Sequence, residues 1–143
     1  MTSLLDVNVL IALLDQNHVH HVRAWAWFEQ DIGTWGWASC PLTQNGCVRV
    51  MSQPVYLGAF SANEVAERLR DACRDPKHEF WPDSISLLRE DRVNWGLAVG
   101  PRQITDLYLL ALAVEKRGRL ATFDRRVAWA AVHGAADETL RVI

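Results

Sequence analysis

The stretch ITDLYLLALAVEKRGRLATFDRRV, residues 104–127, decides the fold of this chain. Apolar residues dominate positions 104–116, which predicts a helix, and Gly118 follows as a helix-terminating glycine. Positions 120–123 form a short apolar run that predicts a buried strand. Because a helix that passes directly into a buried strand is the repeating unit of an α/β sheet, the stretch indicates the α/β class.

The same alternation of strand and helix extends through the rest of the chain. Further strands are predicted at 3–7, 34–39, 79–81 and 140–143, and further helices at 9–14, 18–30, 41–51, 61–74 and 125–131. Parallel strands with right-handed crossovers predict a three-layer α/β/α architecture, with a central, mostly parallel sheet of about four or five strands. We expect residues 1–143 to form one such domain.

The composition is that of an ordinary globular protein, with 50% hydrophobic and 22% charged residues and a formal net charge of -2. This charge excludes a strongly basic module that binds nucleic acid by net charge alone, but it leaves local basic patches open. Three cysteines without paired spacing argue against a disulfide framework and a zinc site. No apolar run is long enough to cross a membrane, so we expect a cytoplasmic protein.

Three aspartates lie where an apolar run ends and a helical pattern begins: Asp6, Asp106 and Asp124. In an open α/β sheet these positions converge at the carboxyl ends of the strands. Each aspartate alone is equally well explained as an ordinary helix-start residue. Taken together they favour a cation site, because grouped carboxylates repel one another and Mg²⁺ or Mn²⁺ relieves that cost. Such a site suits hydrolysis of a phosphodiester.

Three segments of the chain resemble the PIN-domain ribonucleases, most closely the VapC-like toxins of VapBC-type toxin–antitoxin pairs. They are DVNVLIALLD at 6–15, PLTQNGCVRV at 41–50, and the stretch 104–127. The resemblance implies a PIN-like fold and a Mg²⁺-dependent endoribonuclease, with Mn²⁺ as a substitute. It also implies an RNA substrate, a homodimer, and a VapB-like antitoxin whose C-terminal tail fills the active-site groove.

Carried over by the resemblance, Asp6, Asp106 and Asp124 match the first, third and fourth acidic positions of the family and would bind the metal. The second position departs from the pattern, because the amides Gln44 and Asn45 stand where many PIN domains have a glutamate. We take Gln44 as the equivalent catalytic position. An amide oxygen orients a water but carries no charge and is no base, so a second metal should bind less well.

Five further residues flank these positions and are candidates to orient the carboxylates or to bind RNA: Asn8, Thr43, Arg49, Thr105 and Thr122. Helix capping, or solvation in the case of Arg49, explains them equally well. The histidines at 18, 20 and 21 predict an exposed helix start, since hard-cation chemistry does not favour imidazole. Among the tryptophans, Trp27 and one of the pair Trp35 and Trp37 are candidates for a partner-binding surface.

Two other functions compete with the ribonuclease. The first is a catalytically weak or inactive PIN-like module that binds RNA or an antitoxin protein, which the amide at Gln44 would suit. The second is a phospho-acceptor receiver domain, which also gathers aspartates at strand ends. That domain needs a lysine at a late strand end, and the chain has only Lys77 and Lys116.

Overall fold

The computed structural model describes residues 1–98 and 100–143, and its centre is a sheet of short parallel strands. The strands are β1 (Ser3–Leu5), β2 (Trp37–Ser39), β3 (His78–Phe80), β4 (Arg119–Thr122) and β5 (Leu140–Val142). Their order in the sheet is β3-β2-β1-β4-β5, and every neighbouring pair is parallel. The predicted α/β class and the parallel sheet of four or five strands are therefore confirmed.

Helices connect the strands and cover the sheet. They are α1 (Val7–Leu14), α2 (His21–Trp27), α3 (Gly33–Trp35), α4 (Pro41–Met51), α5 (Ala62–Ala72) and α6 (Ile104–Glu115). A π-helical turn, Phe28–Ile32, extends α2, and 3₁₀ turns occur at Trp95–Leu97, Pro101–Gln103, Trp129–Ala131 and Asp137–Thr139. None of the helices in the described residues is long and apolar enough to span a membrane.

The two faces of the sheet bury separate apolar clusters. Along β1 and β4, Leu4 and Leu120 belong to the cluster beneath α6, whereas Leu5 and Ala121 belong to the cluster that α1, α2, α4 and α5 cover. Because strand side chains alternate between faces, this division shows a three-layer arrangement with helices on both sides. The chain starts in the middle of the sheet at β1, moves outward to β3 and then returns to β4. Open α/β sheets place their sites at such a switch point, here between β1 and β4.

The predicted helix at 125–131 is wrong. Residues 125–128 form an irregular turn before the 3₁₀ turn Trp129–Ala131. The carboxylate of Asp124 accepts the backbone N–H of Arg126 at 2.8 Å, and the Gln103 side chain accepts the backbone N–H of Ala128 at 3.2 Å. These side-chain bonds replace the backbone bonds that a helix would need, as aspartate often does at turns.

The predicted helix at 18–30 is shorter, and its buried face is different. Helix α2 begins at His21, and Val22 and Trp25, two residues of the predicted apolar face, are 81% and 40% exposed. Ala24 and Trp27 are buried instead. The indole N–H of Trp27 donates to Asp31 at 2.9 Å, so the prediction of Trp27 as a partner-binding residue is wrong.

Of the other pair of tryptophans, Trp37 is buried in β2 and Trp35 is 58% exposed, so Trp35 remains a candidate for a partner-binding surface. The strand predicted at 34–39 is confined to β2, because the residues before Gly36 belong to α3. Gly36 has a φ of 84° and leaves no room for a Cβ beside the Lys77 carbonyl oxygen, which explains the sharp entry into the strand.

Candidate active site

Asp6 ends the central strand, where the chain turns into α1. Its backbone N–H donates to the Ala121 carbonyl of β4 at 3.0 Å, so β1 and β4 stay paired up to this residue. The side chain is buried, and its Oδ2 accepts a hydrogen bond from the Thr122 hydroxyl at 2.9 Å. Burial raises the pKa of Asp6, and the hydrogen bond from Thr122 partly opposes this rise.

Thr122 links two of the three aspartates. Besides donating to Asp6, its hydroxyl oxygen accepts the backbone N–H of Asp124 at 3.1 Å. The side chain is fully buried, so the bond to Asp6 is shielded from water. The hydroxyl therefore fixes the Asp6 carboxylate and the start of the turn after β4 relative to each other.

Asp106 approaches from the helix layer, because it lies in the first turn of α6. The pKa of this half-buried carboxyl is raised to about 6, mainly by burial and further by the negative charges of Asp6 and Asp124. Arg126 opposes the rise. The carboxylates of Asp6, Asp106 and Asp124 thus act on one another electrostatically across β1, α6 and the end of β4.

Asp124 already has a cationic partner. Arg126 Nε lies 3.0 Å from Asp124 Oδ1, and Arg126 Nη2 lies 3.2 Å from Asp124 Oδ2. This paired hydrogen bonding lowers the pKa of Asp124. In residues 1–98 and 100–143, no three His, Cys, Asp or Glu side chains are grouped as ready ligands for one metal ion.

The donor set nevertheless fits a hard divalent cation. All three aspartates offer oxygen, and burial, the main cause of the raised pKa values of Asp6 and Asp106, disfavours their ionised forms unless positive charge lies nearby. A divalent ion would supply that charge. Asp124 would join the other two as a ligand only if the ion replaced Arg126, which is 84% exposed, as the partner of its carboxylate.

A cleft of about 500 Å³ opens beside Asp124. Its lining includes residues 100–103, just before α6, together with Asp124 and Arg126. Two arginines, Arg102 and Arg126, against one carboxylate, Asp124, give the cleft a net positive charge on the side of the sheet that α6 covers. Gln103 holds its shape, because its side-chain amide donates to the Arg126 carbonyl at 2.8 Å and accepts from Ala128. The sequence pattern did not indicate Gln103, since its partners lie more than 20 residues away.

Gln44 contacts none of the three aspartates by a hydrogen bond within the described part of the chain. Its side-chain N–H₂ donates to the Ser39 hydroxyl at 2.9 Å, and the Ser39 oxygen lies 2.8 Å from His78 Nε2. It lines a cavity between α4 and α5 with Arg70 and Cys73. The structure thus places the amide nitrogen on a link between β2 and β3, and a catalytic role for Gln44 stays a prediction.

The remaining candidates differ in their contacts. Asn8 and Thr105 are exposed in the first turns of α1 and α6. Thr43 is buried and forms reciprocal bonds with the Cys40 backbone that start α4. Arg49 is exposed on α4, and no described carboxylate lies within 4.0 Å of it. Of the five flanking residues, the structure brings Thr122 into direct contact with an aspartate side chain.

The lysine that a receiver domain needs is not at this edge of the sheet. Lys77 directly precedes β3, at the amino end of the strand, and its ammonium donates to the Gly33 carbonyl. Lys116 follows the last residue of α6. Because the aspartates lie at the carboxyl ends of β1 and β4, neither lysine suits the receiver arrangement.

Comparison with known sequences gives one consistent result. The sequence model of the PIN domain matches residues 3–132. Ribonuclease VapC44 of Mycobacterium tuberculosis is 47% identical over 143 residues, which is 100% of both chains. Ribonuclease VapC39 of the same organism is 39% identical over 138 residues, covering 96% of this chain and 99% of the relative.

Solved structures share the fold at low sequence identity. The toxin VapC20 of Mycobacterium tuberculosis, which cleaves the sarcin-ricin loop, superposes with a TM-score of 0.65 at 10% identity, over 94% of this chain and 98% of its own. VapBC2 of Rickettsia felis, bound to a fragment of promoter DNA, gives a TM-score of 0.59 at 13% identity, over 89% and 93%. These likenesses support the architecture derived from the sheet.

Proposed function

Because the chain belongs to the PIN-domain family, and within it to the VapC ribonucleases, we propose that it is a Mg²⁺-dependent endoribonuclease and the toxin of a type II toxin–antitoxin pair. The observation that carries the proposal is the grouping of the three aspartates at one edge of the sheet: the Thr122 hydroxyl bonds both Asp6 and the Asp124 backbone, and the charges of Asp6 and Asp124 help to raise the pKa of Asp106. Perturbed carboxylates beside a basic cleft are what phosphodiester hydrolysis requires.

Asp6, Asp106 and Asp124 would hold the metal, with Mn²⁺ as a substitute for Mg²⁺. When bound, the ion supplies positive charge at the phosphate oxygens and at the leaving oxygen. Thr122 keeps the Asp6 carboxylate aimed into the crevice through its hydrogen bond. One of the aspartates, or a hydroxide that the metal would supply, would deliver the attacking water. Arg102, which lines the adjacent cleft, binds the phosphate backbone, and Arg126 would do so once Asp124 binds the metal.

The partners follow from the relatives. A VapB-like antitoxin would hold the toxin inactive by filling the groove beside Asp124, and the structural relative from Rickettsia felis is a VapBC2 complex. Homodimerisation and a cytoplasmic location belong to the same proposal. Trp35, which is 58% exposed beside β2, is a tryptophan available for a protein contact.

A second candidate is a catalytically weak module that binds RNA or antitoxin. The observation that favours it is Gln44, whose amide brings no charge and donates to Ser39 instead of contacting the carboxylates. The two functions predict different outcomes in one experiment, because only the ribonuclease depends on the ionised aspartates for turnover.

The experiment induces the wild type and Asp6→Asn in bacterial cells and resolves total cellular RNA on a denaturing gel. The ribonuclease predicts discrete cleavage products and growth arrest with the wild type, and neither with Asp6→Asn at equal protein level. Intact RNA in both strains would contradict the ribonuclease and favour the binding module. Co-expression of a small protein encoded directly upstream should restore growth if it is the antitoxin.

A further inference from the structure

The ring of Phe123, the residue between Thr122 and Asp124, contacts the side chains of Arg23 and His20 from a distant part of the chain. The guanidinium carbon of Arg23 lies 5.1 Å from the centre of the Phe123 ring, and the His20 ring centre lies 4.8 Å from it. A guanidinium on an aromatic face is held flat while its N–H edge stays available to an anion. The contact therefore gives Arg23 a defined position next to the aspartate-bearing turn.

Among the described residues, Arg23 has no competing anionic partner. It is exposed, and no carboxylate of this part of the chain lies within 4.0 Å of its guanidinium. By contrast, Arg126 is paired with Asp124 and Arg119 with Asp31. The N–H donors of Arg23 are thus available to a ligand, and a phosphate is the anion that a planar fork binds best.

Helix α2 presents Arg23 from a fixed position. His21 Nδ1 lies 2.7 Å from the Ala12 carbonyl oxygen, and the indole N–H of Trp25 donates to the Leu13 carbonyl at 3.0 Å. Ala24, next to Arg23, is fully buried. These contacts fasten α2 to the end of α1, so binding at Arg23 needs little ordering of the backbone.

The two basic regions flank the end of β4 on opposite sides. Arg102 and Arg126 line the cleft on the α6 side, where Thr122 also points. Phe123 points to the other side and packs in the apolar cluster of α1 and α2, which places Arg23 there. An RNA strand bound across the three carboxylates would therefore meet positive charge on both sides of the bond that is cleaved.

We propose that Arg23, positioned on the Phe123 ring, binds a phosphate of the RNA substrate on the α2 side of the crevice. The inference rests on the proposed ribonuclease function. It assigns Arg23 to substrate positioning, with no part in the bond-breaking step. Loss of Arg23 should therefore raise KM and leave kcat nearly unchanged, because the contact exists before and during the reaction.

The chain offers a matched control in Arg68. It is also an exposed arginine on a helix, and its guanidinium carbon lies 4.7 Å from the centre of the Phe60 ring. Arg68→Gln removes the same charge and the same kind of ring contact as Arg23→Gln, on α5, which bears none of the three aspartates; it also removes a 3.4 Å hydrogen bond to the Leu14 carbonyl. Thermal unfolding of both variants establishes that each is folded.

The test measures binding of a fluorescein-labelled, mixed-sequence single-stranded RNA by anisotropy, in the non-cleaving Asp106→Asn background and over a series of salt concentrations. We expect Arg23→Gln to weaken binding by roughly fivefold and to reduce the slope of log K against log salt by about 0.7, one phosphate contact. Arg68→Gln should bind as the parent does. Equal affinity and slope for the two variants would overturn the inference.

Cleavage assays on the same substitutions, without Asp106→Asn, separate this inference from the proposed function. If the wild type cleaves RNA and Arg23→Gln matches Arg68→Gln in KM, the inference fails and the ribonuclease stands. If the wild type cleaves no RNA, the proposed function fails and the inference fails with it. If Arg23→Gln loses only its co-purification with the upstream gene product, Arg23 serves a protein contact, which also overturns the inference.

Discussion

The hydroxyl of Thr122 fixes the relative positions of two of the three aspartates in the candidate site. It donates to the Asp6 carboxylate in a buried contact and accepts from the Asp124 backbone in a partly buried one. Asp6 is otherwise a buried carboxyl with a raised pKa, so its orientation depends on this donor. A residue that looks like an ordinary strand end in the sequence thus joins the two strands that carry the site.

Replacing Thr122 by valine, which has nearly the same shape, removes both hydrogen bonds. We expect the free energy of unfolding to fall by about 1–3 kcal/mol, because the buried Asp6 carboxylate loses its donor. RNA cleavage should fall at least about tenfold, since Asp6 is no longer oriented. Denaturant unfolding and cleavage rates measure these effects. Thr122→Ser keeps the hydroxyl and should retain most of the activity; equal loss in both variants would contradict the role of the hydroxyl.

In the metal-free protein, the ionised Asp106 carboxylate should lower the free energy of unfolding at neutral pH. Its pKa rises from 3.8 to about 6 on folding, so the unfolded chain loses this proton first as the pH rises. The resulting loss of stability is absent below about pH 4, grows up to about pH 6, and is complete above it. Because the side chain is half-buried, solvent screening reduces the full shift to an effect of about 1 kcal/mol.

Asp106→Asn removes this cost and should stabilise the protein at pH 7 in EDTA by about 1 kcal/mol, with no gain at pH 4. Denaturant midpoints of the two proteins at both pH values provide the measurement. Addition of Mg²⁺ should stabilise the wild type more than Asp106→Asn. If the difference in stability between the wild type and Asp106→Asn is the same at pH 4 and pH 7, folding does not disfavour the ionised form of Asp106.

At the scale of elements, α4 is tied to the sheet by a chain of polar groups. The Gln44 amide donates to Ser39, whose oxygen lies 2.8 Å from His78 Nε2 and 4.0 Å from Cys73 Sγ. Burial lowers the pKa of His78 and so favours the neutral ring. The chain of groups therefore connects α4, β2, β3 and the end of α5.

Gln44→Glu tests whether residue 44, near the start of α4, takes part in catalysis. A carboxylate cannot donate to Ser39, so we expect the free energy of unfolding to fall by about 1–2 kcal/mol. We expect no increase in RNA cleavage. Asn45→Asp is the matched control, because it adds a negative charge at the next, exposed position of the same helix. A gain of activity specific to Gln44→Glu would place residue 44 in the crevice and refute its assignment to the link between β2 and β3.

The sequence predicted the regular elements well and the side-chain contacts poorly. The helix predicted at 104–116 is observed at Ile104–Glu115, one residue shorter. The prediction is this close because local signals, the apolar periodicity and the glycine that follows, set the limits of the helix. The helix predicted at 125–131 fails because Gln103, far upstream, binds this turn. The orientation of the Gln44 side chain could not be predicted either, because its partner Ser39 is positioned by the pairing of β2 with β3.

At the scale of the whole molecule, the two edges of the sheet have different tasks. The carboxyl edge bears the aspartates, and the amino edge bears an ionic cluster around Asp31. Its Oδ2 accepts from Trp27 at 2.9 Å and from Arg119 at 3.0 Å, and Arg141 Nε lies 3.4 Å away. Arg119 also donates to Ser3 at 2.8 Å, so the cluster joins the starts of β1 and β4.

Asp31→Ala should therefore reduce stability without changing the chemistry. We expect a loss of about 2 kcal/mol in the free energy of unfolding, because two arginines and an indole lose a partly buried acceptor. Asp71→Ala breaks an exposed pair with Arg74 and should cost less than about 0.5 kcal/mol. Urea unfolding at 25 °C measures both. The structural role of the cluster is refuted if Asp31→Ala is as stable as Asp71→Ala, or if it changes kcat below the unfolding transition.

Above all, we propose that the three aspartates form a metal-dependent ribonuclease site. The decisive experiment is a time course of RNA cleavage by purified, antitoxin-free protein in Mg²⁺ and in EDTA, with Asp106→Asn beside the wild type. We expect cleavage by the wild type in Mg²⁺, none in EDTA, and a rate at least about 100-fold lower for Asp106→Asn. Cleavage that persists in EDTA, or that Asp106→Asn performs at the wild-type rate, would show that the aspartates are not such a site.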